Sequence, residues 1–405
     1  MTPKGYSAGT HRTVAPAETL ARVRRLMPVF GITRIANVTG LDRVGIPVVM
    51  VCRPNARSLA VSQGKGLDLD AAKASGLMES VEVWHAERVQ LPLRLASLNE
   101  LRYEHTVADV ARLPRAAGGA FHDHARLLWV EGTDLLSSAG TFVPFELVHT
   151  NYVRPLPTGS GAFLMSTNGL ASGNHPLEAL SHAICELVER DATTLWNLMS
   201  TDAQRDTMID VATIDDPACV HVLTRIARAE LDVAIWETTS DVGLPSFLCA
   251  VLDRSPDARS AMPLSSGAGC HPSRGIALLR ALTEAVQTRL TFISGSRDDV
   301  ARGTYEASRD LRVLERFRSR FRDRAGKHFG DGPGREHARF EDDVAWELAA
   351  LRGAGIAQVI AVDLTRPEFG IPVVRVVAPG LESIGDAPGY RPGARARQRI
   401  SEGRA

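Results

Sequence analysis

Glu178, His182, Glu186 and Glu189 recur along one stretch of the chain, and at 100° per residue they fall within an arc of roughly 80° on a helical wheel. Neighbouring like charges on a helix repel by roughly 0.2–0.5 kcal/mol per pair. Such a stripe is therefore either a solvated face of an amphipathic helix or a set of ligands for a cation. The approach to it, STNGLASGNHP over 166–176, favours the cation. Ser166, Asn168 and Asn174 are polar groups in a segment where Gly169 and Gly173 permit tight turns or close backbone approach to a ligand. Magnesium prefers carboxylate and phosphate oxygens, so a metal–nucleotide complex suits this chemistry. Neither a GxxxxGKS/T loop nor a GxGxxG strand-to-helix turn is present.

A second acidic pair, Glu79 and Glu82, has the same spacing as Glu186 and Glu189, in the local patterns E-S-V-E and E-L-V-E. Side chains three apart share a helix face, so each pair either holds a cation or solvates a helix. Two such helices, each entered through a Gly-containing polar loop, raise the prospect of an internal pseudo-duplication. Lys65, between Gly64 and Gly66, is the lysine best suited to phosphate. Arg280, Glu284 and Gln287 span only about 60° of a third helix. There the guanidinium offers several donors to phosphate, and the amide can bond a base or sugar. Cys185, set among apolar residues, reads as a buried structural thiol. Cys270–His271 has nucleophile and base chemistry, but adjacent residues seldom face one atom.

Several elements must position these groups. Residues 1–17 read as a loose leader and 18–28 as a short helix. Strands are expected at 32–37 and 46–52, with the pattern continuing at 57–62, before a QGKG turn at 63–66 and a helix over 69–88. Further strands are expected at 127–132, 140–146, 233–237, 247–252, 356–363 and 371–378. Asn174 is the expected N-cap of the carboxylate helix, with Pro176 in its first turn. Residues 263–274 read as a Gly-containing loop before the helix at 276–290, and 344–351 as helix. The Arg- and Asp-rich region 294–341 reads as a lid or solvent-facing segment. Its Arg-rich run, 316–324, is either a solvated face or a contact to peptide or phosphate. The end from Tyr390 reads as a mobile tail.

Composition excludes several roles. The 405 residues contain 47 Lys plus Arg and 47 Asp plus Glu, so no global field attracts nucleic acid or an acidic membrane. Five scattered cysteines without a CxxC pair argue for a reducing compartment and against a zinc knuckle. With no signal-like apolar core or 18-residue apolar run, cytoplasmic residence is the expectation.

The motifs SQGKG (62–66), MESVE (78–82), STNGLASGN (166–174), EALSHAICELVERDA (178–192), ALLRALTEAVQTRL (277–290) and GIPVVRVVAPGLE (370–382), in this order, resemble the YcaO family of ATP-dependent peptide-backbone-modifying enzymes. The resemblance extends from about residue 32 to 382. It implies an α/β fold of mixed sheets and helices, pseudo-duplicated around a nucleotide pocket. The implied organisation is an N-terminal leader and helix (1–31), a catalytic domain (32–382) and a C-terminal tail (383–405). ATP and Mg2+ are the implied cofactors. Glu79, Glu82, Glu178, Glu186 and Glu189 are then metal or phosphate–metal contacts, and Lys65, Glu178, Arg190 and Arg280 the catalytic candidates. Ser62, Lys65, Ser166, Asn168, Asn174, Arg190, Arg280, Glu284 and Gln287 are the implied nucleotide contacts.

The implied reaction adds a nucleophile to a peptide carbonyl, phosphorylates the resulting oxyanion with ATP and expels phosphate. A Cys, Ser or Thr side chain as nucleophile yields an azoline; a sulfide equivalent yields a backbone thioamide. The ending PGYRPGARARQRISEGRA lacks the regular alternating prolines of cyclising relatives. Together with GITRIANVTGLDRVGIPVV, this makes the chain similar to the TfuA-associated branch, which favours thioamidation. A ribosomally made peptide or protein is the implied substrate, with a TfuA-like sulfur-delivery protein or a leader-presenting protein as partner. Homodimers are common among similar proteins. The third reading is an ATP-responsive maturation scaffold without catalysis.

Overall fold

The carboxylate helix packs against two of the three antiparallel sheets, and the helix that carries Glu79 and Glu82 packs against the third. In the computed structural model, residues 1–254, 262–297, 299–300, 302–308, 310–321, 326–385 and 389–402 are described. The N-terminal segment is not loose: Lys4 N donates to Ala338 O at 3.1 Å, Phe340 N to Thr2 O at 3.1 Å, and Lys4 Nζ pairs with buried Asp343 at 2.6 Å. A buried carboxylate needs a partner, and local composition does not reveal where that need arises.

Helices α1 (Pro16–Arg24) and α2 (Met27–Phe30) lead into a meander of β1 (Arg34–Asn37), β2 (Val48–Cys52) and β3 (Val61–Lys65). The expected QGKG turn is therefore mostly strand, with Gln63 opposite Met50 and Lys65 opposite Val48. Its glycine serves close approach. A Cβ on Gly64 would collide with Ala72 O and Gly76 N of α3 (Leu69–Ala86), the helix carrying Glu79 and Glu82. Asp68 caps α3 by accepting from Ala71 N at 2.7 Å.

Next come β4 (Leu93–Ala96), α4 (Leu98–Leu101), β5 (Leu127–Asp134), β6 (Gly140–Pro144) and β7 (Leu170–Ser172). Then α5 (Pro176–Asn197) begins. Its N-cap is His175, whose Nδ1 accepts from Leu177 N at 3.2 Å, rather than Asn174. Asn174 instead turns to α1, accepting from Thr19 Oγ1 at 2.8 Å and Arg22 Nη2 at 2.7 Å.

Helices α6 (Thr201–Arg205) and α7 (Pro217–Arg228) precede a second meander, β8 (Leu231–Glu237), β9 (Ser246–Asp253) and β10 (Leu264–Cys270), followed by α8 (Arg274–Ser294). The expected loop at 263–274 is thus largely strand. Gly267 works as Gly64 does: a Cβ there would meet Ala285 N and Ala281 O of α8. Each unit is an antiparallel three-stranded meander followed by a helix packed against its last strand.

Helices α9 (Arg302–Ser308), α10 (Leu311–Phe321) and α11 (Phe340–Gly353) lead to β11 (Ile360–Asp363) and β12 (Val373–Val377). The run 316–324 lies partly outside the described residues. The largest sheet has the order β4-β5-β11-β12-β7, with β6 also on β5. The expected tail carries α12 (Ala394–Glu402), and its packing is specific: Arg395 Nε bonds buried Asp191 of α5 at 2.9 Å, and Tyr390 Oη bonds Glu382 at 2.7 Å. Among the described residues no helix is long and apolar enough to cross a membrane.

Candidate active site

Each sheet lends a strand to the site, and each of those strands orients a carboxylate through backbone N–H groups. Gln63 N of β3 donates to Glu79 at 3.3 Å, and Ser172 of β7 donates to Glu82 from N at 2.8 Å and from Oγ at 2.7 Å. On β10, Cys270 N reaches Glu189 at 3.1 Å and Ala268 N reaches Glu284 at 3.3 Å. The helices supply the acids, and strand ends fix their rotamers.

These acids and their neighbours shift one another's pKa values. Burial pushes Glu79 up to about 7, with the Glu186 charge adding to the rise. Burial takes Glu82 to about 8, reinforced by Glu79 and Glu186. Glu186 rises to about 7 through burial and Glu189; Glu189 rises through burial and Glu284. Four carboxylates from α3 and α5 thus disfavour one another's ionised forms, an arrangement that a divalent cation reverses.

Cations are interleaved among them. Lys65 Nζ bonds Glu284 Oε2 at 2.9 Å, which, with Arg190, holds Glu284 below the usual carboxylate range against the effect of burial. Arg190 Nη1 lies 3.4 Å from Glu189. Arg280 Nη2 donates to His182 Nε2 at 2.8 Å; burial and the nearby cations keep that imidazole neutral and able to accept. Gln287 Nε2 donates to Gln63 Oε1 at 3.0 Å, leaving Gln287 Oε1 buried without a hydrogen-bond partner. Asn168 Oδ1 is likewise buried and unpartnered, while Ser166 supports the same turn by accepting from Asn168 N at 3.3 Å.

Two expected site residues stand apart. Glu178 lies within the same arc of roughly 80° as Glu186 but eight residues earlier, roughly 12 Å along the axis. Its oxygens are occupied by Thr13 N at 2.9 Å, Thr13 Oγ1 at 3.0 Å and Asn174 Nδ2 at 3.2 Å, with Arg12 Nε at 3.6 Å. It is buried and anchors the N-terminal segment, so the structure does not place it among the four coupled acids. Ser62 occupies the alternate side of the β3 pleat from Gln63 and Lys65.

Sequence reasoning passed over Arg375. It is fully buried on β12, donates to Ser166 O at 2.8 Å, and leaves Nε and Nη1 without hydrogen-bond partners. Its charge lowers the pKa of Glu186. The available signal was a lone cation within VVRVV, since a charge in a buried strand needs a reason. Gln63, the N-terminal Arg12 and Thr13, and the α1 residues Thr19 and Arg22 were also missed; only tertiary contacts identify them.

Among the described residues, no three acidic, imidazole or thiol groups surround a single point at metal-binding distance. Magnesium usually takes one or two carboxylates and completes its shell with water and substrate phosphates. Carboxylates beside ammonium and guanidinium groups are the chemical types that a metal–triphosphate complex takes.

The family model described as YcaO cyclodehydratase, ATP- and Mg2+-binding, matches residues 63–382. A Rhizobium leguminosarum bv. trifolii protein named for the tfuA 3' region is 37% identical over 390 residues, covering 93% of this chain and 90% of the relative. An uncharacterised Methanothermobacter thermautotrophicus protein is 33% identical, covering 96% and 99% of the respective chains. The fold is similar to YcaO from Methanopyrus kandleri bound with AMPPCP and Mg2+, with TM-score 0.72, 23% identity, and coverage of 98% of this chain and 99% of that one. A heterocyclase in complex with substrate and cofactor gives TM-score 0.81 at 23% identity; 99% of this chain matches, spanning 56% of that longer protein. With the family match extending from the β3 lysine segment through the strand bearing Arg375, this chain belongs to the YcaO family of ATP- and Mg2+-dependent enzymes that activate peptide-backbone amides.

Proposed function

We propose that the chain exchanges a backbone amide oxygen for sulfur. A hydrosulfide equivalent adds to the carbonyl carbon, the resulting oxyanion accepts the terminal phosphoryl group of ATP, and ADP departs. The C–O bond then breaks, inorganic phosphate leaves with the former carbonyl oxygen, and the thioamide forms after loss of the remaining proton. The observation that carries the phosphorylation is the convergence of Glu79, Glu82, Glu186 and Glu189 beside Lys65, Arg190 and Arg280. Magnesium neutralises phosphate charge when held by those acids. Lys65, Arg190, Arg280 and Arg375 bind phosphate oxygens; Asn168, Asn174 and Gln287 orient the nucleotide. Glu178 acts through position, holding Thr13 and Asn174 at the pocket wall.

The relative named for its position beside tfuA supports sulfur delivery by a TfuA-like protein. The like-shaped units β1–β3/α3 and β8–β10/α8 support an internal duplication of the fold. Co-expression of the chain, a TfuA-like protein and a candidate precursor peptide, read by intact mass and fragmentation, tests the chemistry. Replacement of one oxygen by sulfur, dependent on intact Glu186, is expected. Loss of one water localised to Cys, Ser or Thr identifies azoline formation, and an unchanged peptide despite ATP binding identifies a scaffold.

A further inference from the structure

A cavity of about 320 Å3 lies at the C-terminal end of α5, bounded by that helix, the residues after β8 and α12. The phosphorylation chemistry makes no use of it. Ala192, Leu195 and Trp196 of α5, with Met199 just past the end of the helix, form one apolar wall. Trp196 Nε1 already donates to Thr207 Oγ1 at 2.9 Å, so the indole offers the cavity apolar surface.

Charges around the opposite wall are matched within the protein. Arg395 bonds Asp191 at 2.9 and 3.0 Å and also Asp241; Glu237 accepts from Arg274 Nη2 at 3.0 Å; Arg399 stands 3.6 Å from Glu402. A charged ligand must disturb those pairs, whereas a neutral one with apolar bulk need not. One polar atom lacks a match: Thr238 Oγ1 is buried without a hydrogen-bond partner, and its residue is 4% exposed. An unmet hydroxyl in a cavity wall is a ready receptor for an amide group of a ligand.

The cavity lies close to the reaction centre along the same helix. Ala192 is three residues beyond Glu189, roughly 4.5 Å of helical rise, and Trp196 is roughly 10.5 Å beyond, with Met199 past the helix end. An extended peptide advances roughly 3.3 Å per residue. A peptide with one amide at the acids therefore brings a side chain about two to four residues away to the cavity.

We propose that this cavity is a specificity pocket that receives a neutral, apolar side chain of the peptide near the modified amide, with Thr238 bonding the adjoining backbone. The assignment rests on the peptide-modifying reading above. N-acetyl-leucinamide, N-acetyl-phenylalaninamide and the anionic N-acetyl-glutamate amide are suitable probes, followed by saturation-transfer NMR on the full chain without nucleotide. The two apolar probes are expected to bind and the anionic one to fail. Gln398→Trp, at an exposed position lining the cavity, should abolish binding; Thr238→Val should weaken it roughly three- to tenfold. Both variants should retain their thermal transitions and their affinity for AMPPCP with magnesium. Absence of apolar binding, preference for the anionic probe, or undiminished binding by Gln398→Trp overturns the pocket. Probe binding that follows this pattern in a chain unable to modify any peptide amide overturns the proposed reaction and leaves the pocket standing. Peptide modification unaltered by Gln398→Trp overturns the pocket alone.

Discussion

Lys65 and Glu284 are 219 residues apart in sequence and bonded at 2.9 Å in the fold. The pair joins β3 of one meander to α8 of the other, and Ala268 N fixes the second oxygen of Glu284. Glu284 thereby holds the ammonium beside Glu79 and Glu189, whose pKa values its charge lowers.

Lys65→Met should reduce kcat/KM for ATP by roughly 100-fold through loss of a phosphate-directed cation. Glu284→Gln, which retains an acceptor for Ala268, should lose roughly tenfold through misplacement of Lys65. The double variant should resemble Lys65→Met, because the second change acts through a lysine already absent. A steady-state double-mutant cycle reads this coupling; additive losses would show that the residues act separately.

Ligand-free stability should fall as pH rises. Glu79, Glu82 and Glu186 have folded pKa values of about 7, 8 and 7 against an ordinary 4.5, so the folded chain binds more protons throughout that interval. Their contribution is present in full below the ordinary value and disappears as pH passes through the folded values. Melting temperature without magnesium or nucleotide should therefore decline between those limits and flatten above about 8 as far as these acids govern it. Binding magnesium with AMPPCP near pH 7 should release protons, measured by calorimetry in buffers of different ionisation enthalpy, and release fewer above the highest folded value. Glu82→Gln should flatten the melting profile.

Arg375→Gln should move the acid limb of ATP turnover to higher pH. The guanidinium lowers the pKa of Glu186, so its removal makes that carboxylate harder to ionise. Arg375→Lys should restore much of the position of the limb while recovering less of the rate, because an ammonium lacks the planar donor set that reaches Ser166 O. Parallel kcat/KM profiles separate this from simple misfolding, which scales the curve without moving it.

Glu178→Gln should release the N-terminal segment more than it damages metal binding. It changes the acceptor for Thr13 N and Oγ1 and removes the charge beside Arg12. The expected stability loss is about 1–3 kcal/mol, with faster proteolysis before Pro16 and magnesium affinity within severalfold of the parent. Loss of magnesium binding without enhanced proteolysis would place Glu178 among the metal contacts instead.

Much of the candidate site was legible because its groups come in short-range patterns. Glu79 with Glu82 and Glu186 with Glu189 are three apart on helices, and Arg280, Glu284 and Gln287 share another helix face. Lys65 stood out between two glycines, although those glycines belong to a strand packed on a helix and its adjoining turn rather than to a free turn. The wheel groups Glu178 with the other acids because it records angle and discards axial height.

The sequence alone determined the acidic helices, the predominantly helix-and-strand architecture and the kinship with YcaO proteins, since periodicity and motif order are carried by residues close in the chain. Tertiary structure decided that β3, β7 and β10 would each turn N–H groups toward a different acid, that Arg375 would accompany Glu186, and that the first fifteen residues would dock against Glu178 and Asp343. Those pairings depend on burial and electrostatic compensation between distant segments, which local spacing does not encode.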